Sequence, residues 1–117
     1  MDAEKIDRHE KALEYAVRVI RTSPLAEFVK ELYLYGSYAR GDYKYSSDID
    51  LFLVLDEKGR EYHSEILELK SDVTDAEDFS GVDVDLKVTF GDTWKESNQF
   101  YHRNIRKEGR NIWKRSN

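Results

Sequence analysis

The sequence predicts a small α/β (α+β) domain in which a mixed β-sheet is flanked by helices. Short apolar or alternating segments, typical of strands, occur at Leu32–Tyr35, at Asp48–Leu55 and at residues 82–90. Longer segments with helical spacing of apolar residues surround them, at residues 4–21, 60–76 and 92–108. Helices that alternate with strands favour a layered sheet. The length of 117 residues suits a single domain, 1–117.

The N-terminal segment, residues 4–21, has one apolar face and one charged face. The apolar positions recur at near-helical intervals: Ile6, Leu13, Val17 and Ile20. Ser23-Pro24 is a typical helix start, since serine caps and proline is favoured at the first helical position. We therefore expect a second, short helix at about Pro24–Lys30. We expect His9, on the first helix, to be solvated.

The two central strands differ in how they end and begin. Leu32–Tyr35 stops at Gly36-Ser37, after which Ser37–Arg40 could start a short helix. A polar loop then leads to Asp48–Leu55, whose nearly continuous apolar run predicts a strand covered on both faces.

The C-terminal half contributes one further strand with two unlike faces. After a predicted helix at 60–76 and an acidic loop at 74–81, residues 82–90 alternate between apolar and polar side chains. The polar face carries Asp83, Asp85, Lys87 and Thr89. A helix at 92–108 and a short edge strand at 111–113 complete the prediction.

The bulk composition excludes several classes of protein. There is no cysteine, which excludes disulfides and thiolate metal sites. No apolar run approaches the roughly 18 residues of a membrane span, and the charged N-terminus does not resemble a signal peptide. We therefore expect a cytoplasmic location and no membrane partner. The net charge of −5 argues against broad nucleic-acid binding by the whole surface.

Two aspartates at the start of the second strand are the first candidate for chemistry. Asp48 and Asp50 are two residues apart, so both side chains point to one face of the strand. Their Cα atoms should lie roughly 6.6–7 Å apart. Carboxylates at that spacing can share hard cations such as Mg²⁺. The polar face of residues 82–90 offers a third acid, either Asp83 or Asp85.

The turn at Gly36-Ser37 is the second candidate. Glycine lets the backbone approach a ligand closely, and the serine hydroxyl with nearby N–H groups can hold phosphate oxygens. Arg40 and Lys44 are cations within reach of the same turn. A triphosphate bridged by Mg²⁺ to paired carboxylates is an arrangement that supports phosphoryl and nucleotidyl transfer.

The combination of these motifs resembles the minimal nucleotidyltransferase (MNT-like) proteins of the DNA polymerase β superfamily. The family motif is Gly-Ser, ten residues and Asp-x-Asp. Here Gly36-Ser37 is followed by the ten residues Tyr38–Ser47 and then by Asp48-Ile49-Asp50. The flanks GSYARGD and SSDIDLFLV also match. The resemblance implies a polymerase-beta-like nucleotidyltransferase fold.

The resemblance also implies roles for the motif residues. Asp48, Asp50 and a third acid would bind two Mg²⁺ ions and carry the catalysis. Gly36 and Ser37, with Arg40 nearby, would bind the phosphates of ATP or another nucleoside triphosphate. The enzyme would move a nucleoside monophosphate, AMP if ATP is used, to a hydroxyl and release pyrophosphate. The offset to the FGDTW segment favours Asp85 over Asp83 as the third acid.

The acceptor is expected on another molecule, because the chain leaves no evident room for an acceptor-binding domain. The resemblance implies a HEPN-like helical protein as partner, in a toxin–antitoxin pair in which the antitoxin adenylylates the toxin. A homo-oligomer could also present the acceptor. One alternative function is a non-catalytic module that binds or neutralises a partner and retains the nucleotide site. A weaker alternative is an enzyme that modifies RNA ends.

Overall fold

The structure is a computed structural model that describes residues 7–113. The described helices are α1 (Arg8–Thr22), α2 (Gly36–Arg40), α3 (His63–Thr74), α4 (Ala76–Ser80) and α5 (Phe100–Glu108), and the strands are β1 (Val29–Tyr35), β2 (Ile49–Leu55), β3 (Val84–Phe90) and β4 (Arg110–Asn111). Short 3-10 turns lie at Ala26–Phe28, Glu57–Glu61 and Thr93–Glu96.

The four strands form one mixed sheet in the order β3-β2-β1-β4. Strand β1 is antiparallel to both β2 and β4, whereas β2 and β3 are parallel. Strand β2 is therefore paired on both sides, which explains why its residues from Leu51 to Leu55 are all buried. The predicted mixed sheet flanked by helices is confirmed.

Two apolar layers cover the two faces of the sheet. Helices α1, α3 and α4 bury the main core on one face, around Leu32, Leu34, Leu51 and Leu53. The opposite face carries a smaller, aromatic cluster that includes Phe52, Trp94 and Ile105. Helix α5 packs on this second face, beside the positions that carry the acids.

Several predicted boundaries shift in the structure. The segment predicted as one helix at 92–108 is a 3-10 turn followed by α5, because the chain is extended at Ser97 and Gln99. The predicted acidic loop at 74–81 contains α4, and the predicted helix at Pro24–Lys30 is only a 3-10 turn. The first helix begins at Arg8, where Asp7 caps it by accepting a hydrogen bond from the His9 backbone N–H at 2.7 Å. Residues 4–6 of the predicted helix, including Ile6, lie outside the described residues.

The helices of the described residues are not membrane spans. Between residues 7 and 113, none of the helices combines the length and the apolar character that crossing a bilayer requires.

Candidate active site

Asp50 and Asp85 are direct neighbours on the parallel strand pair. Their Cα atoms are register partners, between the partners Ile49 with Val84 and Leu51 with Leu86. Adjacent strands lie about 4.8 Å apart, and side chains at paired positions share a face. The pairing of β2 with β3 therefore places two acids side by side, although they are far apart in sequence.

The charges of the predicted acids act on one another. Burial raises the pKa of the Asp50 carboxyl, and the negative charges of Asp85 and Asp48 raise it further. The pKa of Asp48 is also raised, first by partial burial and then by Asp83 and Asp85. All four acids therefore lie within electrostatic reach at one end of the sheet. Such a cluster stabilises any cation that enters it.

Lys87 is the cation that the chain itself supplies. Its Nζ atom lies 2.5 Å from Oδ2 of Asp85 and 5.7 Å from the centre of the Tyr101 ring. Within residues 7–113, no three acidic or histidine side chains are arranged to close on a single metal ion. The Asp85–Lys87 pair supplies a physical reason, since the ammonium group already occupies one oxygen of the Asp85 carboxylate.

Gly36 joins the phosphate-binding turn to the acids. Its φ of +82° lies in the left-handed region that favours glycine. A Cβ atom at this position would collide with the Asp50 carboxylate, with Cγ of Asp50 only 3.1 Å away. The glycine is therefore required both by the backbone conformation and by the side chain that it faces.

Ser37 and Arg40 lie in α2, which follows this turn. The Ser37 carbonyl accepts hydrogen bonds from the N–H groups of Gly41 and Asp42. These bonds hold the C-terminal end of the short helix α2. Arg40 is exposed and binds Asp42 at 3.2 Å and Glu108 at 3.0 Å. Its positive charge partly opposes the rise in the pKa of Asp50 that burial and the neighbouring acids cause. The structure thus brings Arg40 near the acids, with its guanidinium group held by other carboxylates.

Asp83 lies one residue before β3 begins, beside Asp48 rather than opposite Asp50. Its carbonyl accepts a hydrogen bond of 2.9 Å from the Ile49 N–H. The sequence left Asp83 and Asp85 as alternatives for the third acid. Asp85 is the one paired with Asp50, whereas Asp83 precedes the first residue pair of β2 and β3.

The residues that hold the polar loop were missed by the sequence reasoning. His9 is buried, so the expectation of a solvated side chain is wrong. Its Nε2 atom lies 2.7 Å from the Ser47 carbonyl, and its ring stacks at 5.7 Å on Tyr38. Its other ring nitrogen faces Asp7 at 3.3 Å. His9 therefore contacts the helix after the Gly-Ser turn and the residue before Asp48.

Arg8 holds the same loop from the other side. Its guanidinium group donates to the Tyr45 carbonyl at 2.6 Å and lies 3.7 Å from the centre of the Tyr45 ring. It also reaches the Ser80 and Gly81 carbonyls at 3.4 Å. A signal in the sequence could have suggested this role, since the polar pair Arg8-His9 stands at a helix start where both side chains can reach a neighbouring loop.

Comparisons with known proteins agree with this geometry. Residues 19–117 match the family model described as polymerase beta, nucleotidyltransferase. The comparison with curated proteins gives no match. The family match begins inside α1, so the loop contacts of Asp7, Arg8 and His9 lie outside it.

Solved structures with the same fold include two toxin–antitoxin complexes and one archaeal protein. A toxin–antitoxin structure with AMP-PNP is 23% identical with a TM-score of 0.56, over 86% of this chain and 71% of that one. A mutant of the MntA-HpeT toxin–antitoxin, in which two aspartates two positions apart become glutamates, is 20% identical with a TM-score of 0.51, over 83% and 68%. A candidate nucleotidyltransferase from Sulfolobus solfataricus is 23% identical with a TM-score of 0.54, over 94% and 89%.

Identities this low show a shared fold alone, whereas the family match covers most of the chain. That match includes the Gly36-Ser37 turn, the Asp48 and Asp50 pair and the strand that carries Asp85. The chain belongs to the polymerase beta nucleotidyltransferase family.

Proposed function

We propose that this protein is a Mg²⁺-dependent nucleotidyltransferase that moves AMP from ATP to a hydroxyl group on a partner protein. The observation that carries the proposal is that Asp50 is paired with Asp85 and that its carboxylate also lies against Gly36. Acids from two strands and a glycine turn are brought to one end of one sheet. The family to which the chain belongs supports this class of reaction.

The residues present fit a hard divalent cation. The donors are carboxylate oxygens, which Mg²⁺ prefers. Burial, and then repulsion between the carboxylates, raises the pKa values of Asp48 and Asp50. Asp48, Asp50 and Asp85 would hold two ions once Asp85 is released from Lys87. When bound, the ions would neutralise the charge of the triphosphate and of the leaving pyrophosphate.

The protein's own groups have distinct tasks in such a transfer. Gly36 lets the backbone of the turn come close to the phosphates, and the Ser37 hydroxyl and the Arg40 guanidinium group bind their oxygens. The acceptor oxygen forms a bond to the α-phosphorus while the bond from that phosphorus to the bridging oxygen breaks, and pyrophosphate leaves. Asp85 would accept the proton of the attacking hydroxyl.

The proposed acceptor lies on a small helical protein of the HEPN class, with the present chain as the antitoxin of the pair. Two of the similar structures are toxin–antitoxin complexes, one of them with AMP-PNP. The mutated pair of aspartates in the MntA-HpeT structure has the same two-residue spacing as Asp48 and Asp50. These likenesses support a protein acceptor and adenine nucleotide as the donor.

A second candidate function is a module that binds and neutralises its partner without turnover. The Asp85–Lys87 contact favours it, because a permanent internal cation would leave the acids satisfied without metal. In that case the wild-type protein would bind its partner equally well with and without Mg²⁺, because Lys87 would already neutralise Asp85.

The test is label transfer. The full chain is incubated with Mg²⁺, ATP labelled in the α-phosphate and the protein that co-purifies with it, and the partner is analysed by gel and mass spectrometry. We expect a gain of one AMP per modified hydroxyl, abolished by Asp48→Asn and by Asp50→Asn. Asp72→Asn, an exposed change on α3 away from the acids, is the matched control and should retain transfer.

One result would decide against the enzyme and another against its proposed acceptor. Partner binding that survives Asp50→Asn, with no label in any protein under any divalent cation, would leave only the neutralising module. Label that enters RNA rather than protein would contradict the proposed acceptor while keeping the reaction.

A further inference from the structure

Strand β3 is an edge strand, and its outer side is unpaired. Within residues 7–113, the strand order β3-β2-β1-β4 gives β3 a partner on one side only. The Asp83 carbonyl accepts a hydrogen bond of 2.9 Å from the Ile49 N–H of β2. At the other end, the Gly91 N–H donates one of 2.9 Å to the Leu55 carbonyl. Because backbone groups alternate sides along a strand, the odd-numbered residues of β3 face β2 and the even-numbered residues face outward.

The outward-facing residues from Leu86 onward form an open edge. Leu86, Val88 and Phe90 each carry one backbone N–H and one C=O on this side, and no residue from 7 to 113 bonds to them. Val88 and Phe90 are half-buried, whereas Val84 is only 1% exposed, so the start of the strand is covered by its neighbours. An unpaired row of donors and acceptors is a template for a further strand.

A groove of about 310 Å³ lies beside this edge, between β3 and α3. Its apolar lining comes from Val88 and Phe90 on the strand and from Ile66 and Leu67 on the helix. Leu67 is 61% exposed, which is unusual for a large apolar side chain at a helix surface. An open strand edge with an apolar groove alongside suits an extended peptide, whose alternate side chains enter the groove while its backbone pairs with the edge.

The charge of the groove indicates the kind of peptide. Arg60, His63 and Lys70 line it, and carboxylates are absent from its lining among the described residues. Arg60 pairs with Glu57 at 2.9 Å and lies 4.6 Å over the Phe90 ring, whereas Lys70 has no ion-pair partner within residues 7–113. The whole chain has a net charge of −5, so a groove lined by cations differs from the average surface and favours acidic side chains.

The same charge disfavours a second copy of this chain as the occupant. Two copies that paired through β3 would bring two sets of Arg60 and Lys70 to one groove. Like charges that face each other across an interface oppose association.

We propose that the edge from Leu86 to Phe90 and the groove beside it dock an extended acidic segment of another protein, which adds a strand to the sheet. The backbone of that segment pairs with the outward N–H and C=O groups. Its apolar side chains pack on Leu67, and its carboxylates bind Lys70. The proposal stands on the edge and the groove, and it does not require the proposed transfer reaction.

The probe is a short labelled peptide in which glutamate alternates with valine, and the control peptide has lysine in place of glutamate. Both are titrated into the full chain, and amide hydrogen exchange is followed by NMR. We expect saturable binding of the glutamate peptide alone. The amides of Leu86, Val88 and Phe90 should become protected. Those of Lys87 and Thr89 already face β2 and should change little.

Two variants test the groove and the edge separately. Lys70→Glu should weaken binding of the glutamate peptide about tenfold. Lys107→Glu, an exposed substitution on α5 with the same change of charge, is the matched control and should bind as wild type. Val88→Pro removes an outward N–H without removing a bond to β2, and it should also weaken binding. Thermal unfolding verifies that each variant is folded, and Lys70→Glu keeps the test valid if the proline variant is not.

Three results would overturn the proposal. The first is no binding of the glutamate peptide up to millimolar concentration, or equal binding of the lysine peptide. The second is binding that shifts the signals of His63 and Lys70 but leaves the amides of the edge unprotected, which would show that no strand is added. The third is a dimer of this chain that Val88→Pro abolishes, which would assign the edge to a second copy.

Discussion

Gly36 and Asp50 face each other so closely that no side chain fits between them. A Cβ atom on Gly36 would lie 3.1 Å from Cγ of Asp50 and 3.4 Å from its Cβ. The turn proposed for phosphate and the acid proposed for metal are thus in direct contact. Any change at one of them must move the other, which makes this pair the most sensitive point of the site.

Gly36→Ala should therefore impair both folding and nucleotide binding. The left-handed φ of +82° costs a non-glycine residue about 1–2 kcal/mol, and the collision with Asp50 adds to that. Gly41→Ala is the matched control, because Gly41 has a φ of +88° but nothing within 4 Å of its Cβ position. Urea unfolding should show a larger loss for Gly36→Ala. Equal losses would mean that the contact with Asp50 has no energetic consequence.

Asp50→Asn should stabilise the metal-free protein at neutral pH. The pKa of Asp50 is raised above its ordinary value of 3.8 in the folded state by burial, by Asp85 and by Asp48. Its contribution to the free energy of unfolding is therefore fully present below pH 3.8 and is lost as the pH rises through the raised pKa. Replacing the charged group with a neutral amide removes that loss, so the melting temperature at pH 7 should rise by a few degrees.

The same variant should lose its response to Mg²⁺. Thermal melts from pH 4 to pH 7, with and without Mg²⁺ and ATP, measure both effects. The wild-type protein should gain stability from the ligands, and Asp50→Asn should not. Asp72→Asn, which is exposed on α3, should resemble wild type in both series. A fall in melting temperature for Asp50→Asn without metal would show that its charge is compensated in the folded state.

Asp85→Asn should reduce nucleotidyl transfer about 100-fold or more, whereas Asp83→Asn should retain activity within about fivefold. Asp85 is the register partner of Asp50, and the loss of a ligand that stabilises transition-state charge by about 3 kcal/mol corresponds to roughly two powers of ten. Each variant removes one carboxylate, and the two positions are two residues apart in the same chain segment. Single-turnover transfer rates to the co-purified partner make the comparison, and the opposite ranking would assign the third acid to Asp83.

His9→Ala should destabilise the protein by about 2 kcal/mol and weaken Mg·ATP binding. The Ser47 carbonyl loses its partner at 2.7 Å, and the loop that precedes Asp48 then keeps only the Arg8 contacts with α1. His9→Gln can still donate to that carbonyl and should recover most of the affinity. Isothermal titration with Mg·ATP, at a temperature where all variants are folded, measures the difference. If both variants bind as wild type, the contact serves folding alone.

The local sequence patterns were enough to propose the glycine turn and the acid pair, but they did not predict the side chains that hold the neighbouring loop. The spacing of Gly36, Ser37, Asp48 and Asp50 identified the turn and the acid pair, because both depend on local backbone geometry. The contact of His9 with Ser47 spans 38 positions, and no periodicity encodes it. The break between the turn at Thr93–Glu96 and α5 was missed for a similar reason, since the packing of Trp94 on the sheet overrides a helical pattern.

The sequence by itself determined the alternation of helices and strands, the polar and apolar faces of residues 82–90, and a motif specific enough to indicate the family. Only the tertiary structure decided which acid stands beside Asp50, because the register of two parallel strands depends on how the whole sheet packs against its helices. It also decided that Lys87 neutralises Asp85 and that Asp50 occupies the space beside Gly36. Periodicity assigns side chains to faces, whereas their partners on those faces follow from the packing of distant segments.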